Sequence, residues 1–214
     1  MRTTVAGLFI GKPKPFRGDS ASAIARDPAE GAVQLGWNGF DGDQVADPVH
    51  HGGWDKAVHL YNADHYPFWR KKLPQHDRIE RFGAFGENIT APGFDEEAVR
   101  IGDRFRVGEA LLEVSHGRQP CWKLDHHFGR PDIMATIIKT GRCGLYLRVI
   151  EKGLVAKGDE ILREETAHHD WTVARVFAAL IQPGKRDRGA LKDLSQLPTL
   201  AEDWRVRAAN LAVA

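Results

Sequence analysis

Thiols are scarce in this chain: Cys121 and Cys143 are the two cysteines among 214 residues. Two thiols cannot build a disulfide framework or ligate a four-cysteine iron–sulfur cluster, and a reducing, cytoplasmic setting is expected. Charge of one sign is lacking too. Thirty Lys and Arg against 29 Asp and Glu leave a net charge of +1, so neither nucleic acid nor a membrane surface is an expected partner. The longest apolar runs, such as "VFAALI" at 176–181, are far shorter than the ~20 residues of a bilayer-spanning helix. The opening "MRTTVAGLFIGKP" reads as a poor secretory signal. There is no G-x-x-x-x-G-K-[ST], no G-x-G-x-x-G after the first strand and no H-E-x-x-H. Walker-type nucleotide binding, a Rossmann site and a zincin are thereby disfavoured.

What is present is glycine, in short connections between short β-type runs. "TVAGLFI" (4–10) and "AVHLYN" (57–62) read as strands. "GDRFRVGEALLEVS" (102–115) reads as a hairpin turning at "GE", and "LYLRVIEKGLVAKGDEI" (145–161) as a second hairpin turning at "EKG". Helical spacing interrupts them at 63–73 and at 130–141, where Gly141 is the stop. Past residue 165 the pattern becomes helical. Val173, Val176, Phe177 and Leu180 share a face, Leu191 and Leu194 mark a second helix, and Thr199 with Glu202 forms a capping-box pattern ahead of Leu200 and Trp204. The expected organisation is mainly β with α: a β-barrel or sandwich domain at 1–165 and a three-helix module at 166–214. That module is too small to stand alone and is expected to dock on the barrel or on a second subunit, with a homodimer through the tail.

Four clusters carry candidate chemistry. "GFDGDQVADPVHHGGWDKAVHLY" (39–61) gathers Asp43, His50, His51, Asp55 and Lys56 around paired glycines that let backbone approach an anion; a polar turn with exposed histidines is the plainer reading. Zinc at His50 and His51 is disfavoured, because no partner motif follows. In "FGAFGENIT" (82–90), Asn88 either tolerates a left-handed turn or offers its amide to a heterocyclic ring. "SHGRQPCWKL" (115–124) sets Cys121 between Arg118 and Lys123, cations that stabilise a thiolate and bind phosphate. "TGRCGLYLRV" (140–149) holds Arg142, a helix cap or an anion ligand, and Cys143, a rival thiol with fewer cations nearby. Together these suggest either a phosphorylated cofactor beside a cysteine, or a cysteine hydrolase with His50, His51 or His116 as base.

Taken in order, "GKPKPFRG", the 39–61 stretch, "FGAFGENIT", "IGDRFRVGEALLEVSHGRQPCWKL" and "TGRCGLYLRV" resemble the MOSC domain family (the carboxy-terminal domain of molybdenum cofactor sulfurases). The helical tail resembles the module that follows this domain in YiiM-type proteins. The resemblance implies a MOSC-type β-barrel that binds molybdenum cofactor (molybdopterin), with Cys121 as the protein's ligand to molybdenum and as the catalytic residue. It implies that Lys56, His51, Asn88, Arg118, Arg142 and Lys123 hold phosphate and pterin, and returns Cys143 to a structural role. The implied activity is reduction of N-hydroxylated compounds, such as hydroxylaminopurines and amidoximes, with electrons from a separate reductase. A sulfur carrier using a Cys121 persulfide, and a non-catalytic cofactor carrier, stay open beside it. Pyridoxal phosphate binding is not expected in a chain this short.

Overall fold

The computed structural model describes residues 1–213. Its first half comprises β1 (Arg2–Thr4), β2 (Gly7–Ile10), β3 (Lys14–Arg17), β4 (Ser20–Ser22), β5 (Asp27–Pro28), β6 (Val33–Gly36), β7 (Gly39–Phe40), α1 (Pro48–His51), β8 (Val58–Asn62), α2 (Tyr66–Lys72) and β9 (Ile89–Ala91). The second half comprises β10 (Arg104–Val107), β11 (Ala110–Gly117), α3 (Trp122–Phe128), α4 (Ile133–Thr140), β12 (Leu145–Glu151), β13 (Gly153–Val155), β14 (Glu160–Glu165), α5 (Val173–Ile181), α6 (Arg188–Ser195) and α7 (Glu202–Val213).

Among the described residues nine strands form one sheet in the order β1-β14-β10-β11-β12-β8-β9-β2-β5, parallel only between β8 and β9. The hydrogen-bonded order among the described residues runs between two edges, β1 and β5, and does not close on itself. The architecture is therefore mixed α/β, and the barrel expected from the sequence is not one that strand pairing closes.

Local chemistry decides the elements that form as expected. The β10–β11 hairpin turns at Gly108-Glu109 with Val107 opposite Ala110, because two residues bridge antiparallel strands when the first takes a left-handed backbone, here φ 55° at Gly108. The "EKG" hairpin does not form. Across Lys152 the chain leaves β12, and β13 pairs with β6, Gly153 opposite Leu35. A Cβ at Gly153 would lie 2.5 Å from the Glu109 carbonyl carbon, so the glycine serves a close crossing rather than a turn. The expected strand at 4–10 is also split: the Val5 amide bonds Asp159 O and the Ala6 amide bonds Thr90 O, so two partners divide one apolar run.

Every residue of β11 is buried, which follows from its position in mid-sheet with helices on its outer face. Val173, Val176, Phe177 and Leu180 of α5 are all buried, as are Leu191, Leu194, Leu200 and Trp204, and they belong to the same apolar cluster as the strands. The capping box fails. Among the described residues the buried Thr199 hydroxyl has no hydrogen-bond partner, and the Glu202 amide instead reaches Asp55 Oδ2 at 3.4 Å.

Candidate functional site

The Cys121 stretch gains its position from β11. That strand ends at Gly117, the Arg118 amide bonds Gly144 O at 3.0 Å, and the chain then passes buried Pro120 to place Cys121 as the residue ahead of α3. Here it lines a cavity of about 350 Å³ whose walls come from four sequence-distant segments: residues 22–26, 38–59, 85–88 and 118–123, with Tyr146 from β12. This volume lies at the lower end of the ~300–1,000 Å³ typical of small-molecule sites.

The walls are fixed by buried polar chemistry. Asp43 accepts from the Gly11 amide at 2.8 Å, from Arg26 Nε and Nη2 at 2.9 Å each, and from Asn88 Nδ2 at 2.9 Å. Arg26 also donates to Gly86 O. This ion pair is about nine-tenths buried on both sides. Removing one partner of such a pair costs about 3–5 kcal/mol. Asn88 further donates to Phe9 O at 3.2 Å and accepts from the His59 amide at 3.1 Å. Both amide hydrogens of Asn88 are thus used inside the wall, so it positions Asp43 and β8 and has no donor left for a heterocyclic ligand. Glu87, fully buried, accepts from Tyr66 OH, Thr90 Oγ1 and the Gly83 and Phe85 amides at 2.6–2.9 Å. It folds the "FGAFGEN" loop around its own carboxylate, which delivers Phe85 and Gly86 to the cavity. Gly86 has φ 72°, and a Cβ there would lie 2.8 Å from the Ile24 side chain, so this wall requires glycine.

The cavity's cations are Arg118, Lys123, Lys56 and Arg26. Arg26 is paired, and Lys56 Nζ is 2.9 Å from Asp203 Oδ2. Lys123 donates to Ala21 O at 3.3 Å. Arg118 differs. Its residue is 7% exposed, its backbone amide bonds Gly144 O, and among the described residues its guanidinium has neither a carboxylate nor a hydrogen-bond partner. None of its three guanidinium nitrogens is among the buried atoms that lack a partner, so the head group opens into the cavity's solvent. A cavity-facing guanidinium without a carboxylate is the natural receptor for an anion.

Two imidazoles share the cavity. Burial, then the positive charges of Lys123 and Arg118, lower the pKa of His51 to about 4. Burial, then Arg118, holds His59 well below the usual histidine value. Both are neutral at pH 7. His59 Nδ1 lies 3.2 Å from Gly86 O, while Nε2 is buried without a partner.

Of the residues singled out by sequence, Cys121, His51, Lys56, Asn88, Arg118 and Lys123 line this one cavity. Arg142 does not: its guanidinium stands 4.3 Å over the Phe68 ring, on α2. Cys143 is buried, its Sγ donates to Gly144 O at 3.1 Å, and burial followed by the charge of Glu96 pushes its thiol pKa up. It is a packing residue. His50 is exposed and pairs with Asp47. His116 lies between the rings of Tyr146 and Trp204, with centroids 5.1 Å away on each side, and burial lowers its pKa to about 3; neither histidine lines the cavity. Arg26, His59 and Tyr146 also line the cavity, and no local signal in the sequence marks them. The alternating "VHLY" and "LYLRV" patterns read as plain strands, and nothing in "IARDP" marks an arginine whose partner is 17 residues away.

Among the described residues, no group of three His, Cys, Asp or Glu side chains is placed to hold a metal ion, and no helix is long and apolar enough to cross a membrane. The donor set is one accessible thiol, neutral imidazoles and an unpaired cation. It fits a group that carries its own metal ligands and an anionic tail, adding one soft donor from the protein.

Residues 47–162 match the family described as MOSC domain, and residues 171–209 the one described as YiiM-like, 3-alpha helix domain. The chain is 39% identical over 208 residues to the uncharacterized protein YflK of Bacillus subtilis, covering 95% of this chain and 92% of that one. A Gibberella moniliformis protein named Reductase is 38% identical over 182 residues, which span 85% of this chain but 32% of the longer protein. The crystal structure of YiiM from Geobacillus stearothermophilus superposes with a TM-score of 0.82 at 28% identity, over 99% of this chain and all of that one.

Proposed function

This chain belongs to the MOSC domain family, and on that premise we propose that it binds molybdenum cofactor in the Cys121 cavity and reduces N-hydroxylated compounds with electrons from a separate reductase. The observation that carries this reading is the Arg118 guanidinium, without a carboxylate partner among the described residues and lining the same cavity as Cys121. Arg118, with Lys123, takes the anionic tail. Cys121 gives the thiolate ligand. Bound cofactor supplies the two electrons that convert R–NHOH and two protons into R–NH2 and water.

The remaining residues act on geometry and protons. Asp43, Arg26 and Asn88 keep the rim in register, and Tyr146 and Phe85 give the apolar surface that excludes water. The neutral imidazoles of His51 and His59 accept or relay hydrogen bonds without adding positive charge. An anion between Arg118, Lys123 and His51 offsets the charges that depress the His51 pKa, so a loaded site holds a proton on His51 more readily than the empty one.

The test is the molybdenum and pterin content of protein from a host that makes the cofactor, with Cys121→Ser and Cys143→Ser beside the wild type. Near-stoichiometric molybdenum in wild type and Cys143→Ser, with loss in Cys121→Ser, is expected, followed by turnover of a hydroxylamine with an artificial electron donor. A wild type free of both molybdenum and pterin, carrying a persulfide mass shift that Cys121→Ser removes, would replace this reading with the sulfur carrier.

A further inference from the structure

We propose that Asp203, on α7, is a positioning residue for the cavity: its carboxylate holds the Lys56 ammonium at the wall where the anionic ligand binds. This rests on the cavity being the anion site argued above. It assigns part of that site to a helix outside the residues that match the MOSC domain, 47–162.

The pair joins Lys56 Nζ to Asp203 Oδ2 at 2.9 Å, with the lysine side chain 17% exposed and the aspartate 54%. The aspartate is thus the solvent-side partner of a lysine that lines the cavity. An ammonium has three donors, and Asp203 takes one, leaving two. A lysine stem free in solvent loses rotamer freedom when a ligand immobilises it. One already held in a single arrangement loses less, which favours binding.

Asp203 can act this way because the start of α7 is anchored independently of Lys56. Arg148 Nη2 donates to Thr199 O at 3.0 Å, the Ala201 amide to Ser115 O at 3.2 Å, and the Glu202 amide to Asp55 Oδ2 at 3.4 Å. Trp204 packs on His116, which packs on the cavity residue Tyr146. Burial alone would raise the Asp203 pKa, but the hydrogen bond from Lys56 and nearby positive charge hold it below its usual value, so it is ionised wherever the pair is needed.

The experiment uses the full chain and a double-mutant cycle with inorganic phosphate as the probe, followed by phosphorus NMR. Molybdenum retained on dialysis of cofactor-loaded protein is the second readout. Asp203→Asn is expected to weaken phosphate binding about three- to fivefold, Asp203→Glu to recover most of it, and Lys56→Met to weaken it further. Asp203→Asn added to Lys56→Met should then cost nothing more, because Asp203 acts only through the lysine. Asp203→Ser stands in if the Asn variant does not fold. An additive loss in the double variant would reduce Asp203 to a general stabiliser. Tighter binding in Asp203→Asn would make it a competitor for Lys56. Either result overturns the proposal. Wild type that binds phosphate, with Arg118→Met that does not and Asp203→Asn that is unchanged, would overturn this proposal alone. Wild type with no phosphate binding would overturn the anion site itself.

Discussion

Arg118 sits where stability and binding pull in opposite directions. Its backbone is held where β11 ends, the amide bonded to Gly144 O, while its side chain lines the cavity with no counter-charge among the described residues. Its charge stands unbalanced near Lys123 and bears on the imidazoles of His51 and His59, so an apolar side chain of similar length removes like-charge repulsion from the ligand-free cavity. Arg118→Met is therefore expected to leave the melting temperature of the ligand-free protein unchanged or slightly raised, while abolishing retention of phosphate and molybdenum. Calorimetry and metal analysis on one preparation check both halves. A variant that melts lower than wild type would mean that Arg118 has a structural partner. In the sequence Arg118 was visible because its partner in the chemistry, Cys121, is three residues away. Arg26 was not, because its carboxylate and its carbonyl acceptor come from residues 43 and 86, and only the fold brings them together. Arg142 shows the converse: a cation near a glycine turn looked available, and an aromatic ring on α2 occupies it.

At the scale of elements, what was legible is what is local. The β10–β11 hairpin, α4 with its Gly141 stop, and the apolar faces of α5 and α6 each depend on signals within a few residues. Pairings across long separations were not legible. β13 was read as the return strand of β12, yet its partner β6 lies more than a hundred residues earlier, and α3 was missed because "WKLDHHF" has little apolar periodicity. The start of α7 is the instructive failure. "TLAE" carries the capping-box residues, but tertiary contacts turn Thr199 inward and leave its hydroxyl buried without a partner, while Asp55, held 2.8 Å from Arg148, faces the helix amide. Thr199→Val is accordingly expected to be neutral or mildly stabilising, since it removes an unpaired buried hydroxyl at constant shape. Asp55→Ala is expected to cost about 1–3 kcal/mol, from the lost cap and from a buried arginine left with fewer partners. Urea unfolding of the two variants side by side decides it. A destabilised Thr199→Val with an unaffected Asp55→Ala would restore the capping box.

For the whole molecule, the three most deeply buried of the perturbed imidazoles set the response to acid. His59, His116 and His127 all have pKa values driven down first by burial, to about 3 for His116 and His127 and well below the ordinary value for His59. In the unfolded chain each would titrate near 6.5. A group whose folded pKa is depressed in this way is neutral in both states above pH 6.5, and there its contribution to stability is complete. Below 6.5 the unfolded chain takes up a proton that the folded chain refuses, so stability falls with pH until the folded pKa is reached. Each such histidine gives a slope of about 1.4 kcal/mol per pH unit once the unfolded form is fully protonated. The three act together on a continuous core. Carboxylates titrate below about 4.5, so the window from pH 6.5 to 5 isolates the imidazoles; His51, which is partly exposed, adds less. Urea unfolding across that window should show a stability that is flat above pH 7 and drops increasingly steeply below 6.5. His116→Phe, which keeps a ring between Tyr146 and Trp204, should remove up to about a third of the slope, less whatever His51 and His169 contribute. Stability constant from pH 7 to 5 would mean that these rings find partners for a second proton in the folded state, and that the burial of His59 beside Arg118 does not keep the cavity's imidazole neutral.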